Sequence, residues 1–217
     1  MKTILSCISR DFKNEWRNLY QLGGLFSFLI GVCYLIYFFG DKNQSLSEWN
    51  LKYWLVYLFL SFFVGSRIYE EDQGRFRIFL HQLVHPGQLL LSKIIFVFFL
   101  LTVMNMLILF FFQLFNPEIQ VQFFNWLSIC MLINVGMATL ISFSSLLNSN
   151  IRNNTILLTV IILPISFPLI GMAYSTSHSV LEGVSILSVG SKLRLILGID
   201  LITIAIVFFL YPHIARN

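Results

Sequence analysis

From residue 89 to residue 115 the chain carries one charged side chain, Lys93, among leucines, isoleucines and phenylalanines. As a helix rising about 1.5 Å per residue this stretch is about 40 Å long, more than the roughly 30 Å of a bilayer's hydrocarbon core. Five other stretches share its character, at about 22–39, 53–69, 123–147, 155–174 and 193–211. With 57% hydrophobic residues, 11% charged residues and 23 phenylalanines in 217 positions, the chain cannot hide its apolar surface as a water-soluble domain does. The pattern predicts an all-α, polytopic membrane protein with six transmembrane helices. It forms a single domain over 1–217, with no room for a separate soluble catalytic domain.

The longest polar interruption, residues 67–93, constrains the arrangement next. Glu70, Glu71, Asp72, Arg75 and Arg77 crowd into eight positions. At a bilayer centre each would cost about 2.5–3.5 kcal/mol, so roughly 12 kcal/mol or more together. They must lie in water. Phe76, Phe79, Leu80 and Leu83 recur at helical spacing in the same stretch. The segment 67–88 therefore reads as a short amphipathic helix at the membrane surface, closed by the turn signal His85-Pro86-Gly87. Lys93, just inside the next span, is expected to snorkel to the headgroups.

Residues 1–20 read as a second amphipathic helix. Ile4, Leu5, Ile8, Phe12, Trp16, Leu19 and Tyr20 share one face, and Arg10, Lys13, Asn14, Arg17 and Asn18 take the other. It is too charged to span and should lie in the interface. Its acids, Asp11 and Glu15, and the lack of a small-residue cleavage site after 22–39 argue against a cleaved signal. The external segment 175–192 mixes Val180, Leu181, Val184, Ile186 and Leu187 with polar residues, and is expected to dip into the outer leaflet and return. With the amino terminus inside, ten of the 14 lysines and arginines fall on the cytoplasmic side, which places both termini and 67–93 in the cytoplasm. That bias accounts for the net charge of +4. No basic patch with interleaved aromatics suggests nucleic acid.

The sequence holds no Walker lysine loop, HExxH, CxxC or GxSxG. The reading is a non-enzymatic subunit with no catalytic residue and no metal site. Cys7, Cys33 and Cys130 show no paired spacing and are expected to be structural. His81 and His85 stand four apart but lack a third ligand, and His178 reads as a surface residue on the outer side. Asn105 and Asn134 fall near the middle of spans and suit hydrogen bonds between helices. Asp200 is either intramembrane or interfacial, depending on where the last span begins. Pro164 and Pro168 each remove a backbone donor, so the fifth span should bend there, as a gate or as packing.

Three motifs together resemble the cytochrome c maturation protein B family, the haem-exporter permeases. Arg10-Asp11-Phe12-Lys13-Asn14-Glu15-Trp16-Arg17 is similar to that family's amino-terminal pattern. The loop resembles the family's segment after its second span, with acids, then Gly74, Phe79-Leu80, Pro86 and Lys93. The stretch from Leu163 to Gly171, with Pro164 and Pro168, resembles its two-proline fifth span. The likeness runs from about Ser9 to Pro212. It departs after Gly74, where an acid is expected and Arg77 stands nearby instead.

The resemblance implies the membrane subunit of an ABC transporter in the bacterial inner membrane. Its expected partners are a separate ATP-binding subunit, a second copy of itself and other haem-handling membrane proteins. No cofactor is held directly: ATP sits on the partner, and haem is a possible substrate. Glu70, Glu71, Asp72, Gly74, Arg75, Phe76 and Arg77 then form the expected docking site for the ATPase subunit. Rival readings are a permease for another lipid or small molecule, an intramembrane haem enzyme using His81, His85, His178 or Asp200, and a passive haem-handling scaffold.

Overall fold

A computed structural model describes residues 2–17, 19–40, 44–67, 86–150, 155–186 and 188–214. Among these residues every regular element is a helix. The helices are α1 (Lys2–Arg17), α2 (Leu19–Phe39), α3 (Leu46–Arg67), α4 (Pro86–Phe115), α5 (Phe123–Asn150), α6 (Thr155–Leu181) and α7 (Gly190–Ile214).

Local chemistry sets several of the ends. Ser45 caps α3, its Oγ accepting from Glu48 N at 3.2 Å, in the serine-to-glutamate spacing of a capping box. Proline stands at the first position of α4, where a missing N–H costs nothing. α6 stops at Gly183, whose φ of 85° suits only a residue without Cβ. There Val184 N donates to Ser179 O and Gly183 N to Val180 O, both at 3.1 Å, the two bonds of a Schellman stop. Residues 175–192 therefore do not form the separate dipping segment expected from sequence. They are the last turns of α6, a short connection and the start of α7.

α5 is the hub, packing against α3, α4, α6 and α7. Trp126, Ile129, Ile133, Met137, Ala138 and Ile141 are all fully buried. Among the described residues three segments are long and apolar enough to cross a membrane: Gly87–Phe115, Phe123–Ser145 and Gly190–Leu210; Gly23–Phe39 is a shorter apolar helix. Large apolar side chains cover the outside, among them Phe99, Phe110, Leu201, Ile202 and Phe209. A water-soluble monomer does not expose so much, whereas lipid covers it without cost.

Candidate functional site

The expected docking residues Glu70, Glu71, Asp72, Gly74, Arg75, Phe76 and Arg77 lie outside the described residues, as do His81 and His85. What the structure describes is the frame on either side of them, and the polar groups inside the bundle.

At one end of the bundle α1 is fastened to α4 by charge. Asp11 is four residues after Cys7 and seven after Ile4, so it shares the α1 face that turns toward α4. Both Cys7 and Asp11 are buried. Arg10 Nη2 and Nε reach Asp11 Oδ1 at 2.7 and 3.1 Å. Lys93 Nζ stands 3.2 Å from Oδ2, with both side chains only 4% exposed. That contact is an ion pair rather than a directed hydrogen bond. The ring of Phe12 meets those of Phe96 and Phe99 edge-on at 5.2 and 6.2 Å. Lys93 is thus buried, with its ammonium facing a carboxylate of α1. The remaining surface of α1 has an apolar edge, Leu5 and Trp16, beside a basic edge, Lys13 and Arg17, all exposed. A helix with those two edges suits the boundary between acyl chains and headgroups.

Mid-bundle, Asn105 of α4 and Asn134 of α5 anchor one network. Asn134 Oδ1 accepts from Tyr57 Oη at 2.7 Å and from Asn105 Nδ2 at 2.8 Å. Asn134 Nδ2 donates to Thr102 Oγ1 at 3.1 Å, and Tyr53 Oη donates to Asn105 Oδ1 at 3.0 Å. All four partners are on α3 or α4, so the two amides tie three helices together. Tyr53 and Tyr57 escaped the sequence reading. The signal available was their four-residue spacing on one helical face. Above them Trp49, Tyr53, Trp54 and Trp126 form a buried aromatic cluster, with ring centroids 5.0–6.2 Å apart.

The amino-terminal end of α3 and the carboxy-terminal end of α6 are joined by a second polar set. Asn50 Nδ2 donates to Tyr174 O at 2.9 Å, and Ser177 Oγ lies 2.7 Å from Asn50 Oδ1 and 2.8 Å from Trp54 Nε1. His178 is half-buried, its Nε2 2.7 Å from Ser47 Oγ and its Nδ1 3.4 Å from Glu182 Oε1. Lys192 Nζ, in the first turn of α7, donates to Ser175 O and Ser179 Oγ at 3.0 and 2.7 Å. His178 is therefore part of a helix-to-helix tie and not a loose surface residue.

Asp200 sits ten residues beyond the first residue of α7, about 15 Å along the helix at about 1.5 Å per residue. It is buried against Gly136 of α5 and Leu169 of α6. Pro164 and Pro168 lie inside α6 on its exposed face, and the helix continues through both. Their missing N–H groups leave the carbonyls of Val160 and Pro164 without the usual helical donor. Among the described residues no group of three His, Cys, Asp or Glu side chains could hold a metal ion.

Among the described residues, a helical bundle with an apolar exterior, three membrane-length apolar segments and buried polar ties between helices defines an integral membrane protein. The chain belongs to the CcmB family: a family model described as CcmB protein matches residues 2–217. Membership makes it a membrane component of the haem-export system of cytochrome c maturation, a system of several components. No match was found among curated proteins or among solved structures.

Proposed function

We propose that this chain is the permease subunit of an ABC complex for cytochrome c maturation. It couples ATP hydrolysis on a partner subunit to haem export or to release of a haem chaperone. The observation that carries the reading is the family match along the whole chain. In this reading α2 to α7 are six spans and α1 lies along the inner interface. Helices of 21 to 30 residues are long enough for that, since about 20 residues cross the hydrocarbon. The membrane is the bacterial inner membrane, and both termini are cytoplasmic, in keeping with the lysine and arginine bias.

The segment 67–88, with Glu70, Glu71, Asp72, Gly74, Arg75, Phe76 and Arg77, docks on the ATPase subunit. The chain has no ATPase site and holds no cofactor of its own. It works as two copies beside other haem-handling membrane proteins. The α1–α4 ion pair supports this arrangement, because it braces the helix that follows the docking segment.

The test is a complex assembled with an ATPase-inactive partner, scored by accumulation of c-type cytochromes. Loss of accumulation is expected; normal accumulation sinks the coupling reading. A second arm replaces Asp72 and Arg75 with Ala. Co-purification with the ATPase subunit should fall, and unchanged binding and turnover would remove 67–88 from the docking role.

A further inference from the structure

Asp200 is only 2% exposed, and neither of its carboxylate oxygens has a hydrogen-bond partner among the described residues. The neighbouring helix makes room for it. A Cβ built on Gly136 would overlap Asp200 Oδ1 and approach Leu169 Cδ1 to 2.9 Å. The carboxyl therefore fills the space that a missing side chain opens on α5.

Helices α4, α5 and α6 all pack on α7. α5 contains no charged residue, and Lys93 of α4 and His178 of α6 lie near the ends of their helices. Among the described residues, the titratable group in electrostatic reach is the Tyr57 phenol of α3. Its hydroxyl already donates to Asn134 Oδ1. A buried carboxylate with neither cation nor donor neutralises by taking a proton. Acids inside helix bundles are where membrane proteins hold exchangeable protons.

We propose that Asp200 is a proton-binding site in the interior of the bundle. At rest it is the neutral carboxylic acid, packed against Gly136. It gives up that proton and regains it as α5 and α7 shift against each other. Uptake adds one proton from water to one carboxylate oxygen, release returns it to water, and no other bond changes. The moving step rests on the permease reading; the resting acid does not.

Infrared difference spectroscopy of the reconstituted complex, wild type minus Asp200→Asn, reads the chemical form directly. The expected result at neutral pH is a carboxylic-acid carbonyl stretch. In heavy water that band shifts during ATP turnover and holds still without ATP. Carboxylate stretches in its place overturn the resting acid. An acid band that never exchanges during turnover overturns the proton exchange.

Gly136→Ala supplies an independent arm, because it leaves residue 200 intact while displacing it. The acid band should shift or vanish, and an unchanged band overturns the role given to Gly136. These spectra are read without reference to haem. A failure of the permease reading shows elsewhere, as normal cytochrome accumulation with an inactive ATPase.

Discussion

Two buried acids in this bundle are treated in opposite ways. Asp11 lies between Arg10 and Lys93, each carboxylate oxygen facing a different cation. Asp200 lies against a glycine and a leucine, with no partner among the described residues. Both are nearly inaccessible, so burial alone does not separate them. What separates them is whether the surroundings favour a fixed charge. Around Asp11 they do, and the charge is spent on fastening one helix to another. Around Asp200 they do not, so the acid contributes little to holding the bundle together.

The contrast breaks most sharply at the contact of α1 with α4. Asp11→Leu removes the carboxylate that faces both Arg10 and Lys93, and losing one partner of a buried pair costs about 3–5 kcal/mol. Thermal unfolding in detergent should show it as the largest loss among these variants. Adding Lys93→Met replaces the pair by apolar groups, and should return part of that loss. If the double variant is no more stable than the single, the stabilising part of Lys93 lies elsewhere than in its contact with Asp11.

Gly136→Ala comes next. The new methyl meets Asp200 and Leu169 in a tight space, and overpacking of this kind costs about 1–3 kcal/mol. Adding Asp200→Ala removes the obstructing carboxyl, so the two changes should be less harmful together than their sum. Simple additivity in that cycle would mean that the helices part freely at this level, against the close contact described above.

Asn134→Ala removes an amide engaged with Tyr57, Asn105 and Thr102. Hydrogen bonds between membrane helices average about 0.6 kcal/mol, so the expected loss is about 1–2 kcal/mol. Tyr57→Phe should cost about 0.6 kcal/mol and, combined with Asn134→Ala, almost nothing more. A full additional loss in the double variant would show that the phenol has another partner that matters.

The helices themselves were legible from sequence because apolar length and periodicity are local properties. Residues 89–115 could hardly do anything else. Asn105 and Asn134 were recognisable as polar groups within apolar runs, but not their partners, since Tyr53 and Tyr57 read equally well as interfacial aromatics. The partner of Lys93 was hidden for the same reason. A lysine about two turns inside an apolar helix reaches for the headgroups unless a carboxylate is packed beside it, and that carboxylate is some eighty positions earlier. The acid left a trace, falling on the same α1 face as Ile4, Cys7 and Ile8. The end of α6 was legible in principle from Gly183, but the mixed polarity around it hid a Schellman stop. The docking residues between α3 and α4 lie outside the described residues, so the comparison of sequence with structure does not reach them.

Asp200→Asn should have the smallest effect on stability, within about 1 kcal/mol of the starting protein, the range of a near-isosteric change that removes no partner. The same chemical change at Asp11 gives up a charge that faces two cations. Pairing the two substitutions in one unfolding assay therefore compares identical chemistry in opposite settings. A large loss at both positions would mean that Asp200 is held as an ion by a group outside the described residues, and its proton-binding role would go with it. A large loss at Asp11 alone, with impaired cytochrome maturation in the stable Asp200→Asn protein, is the expected pattern. It would separate an acid that holds the fold from one whose use lies in the reaction cycle.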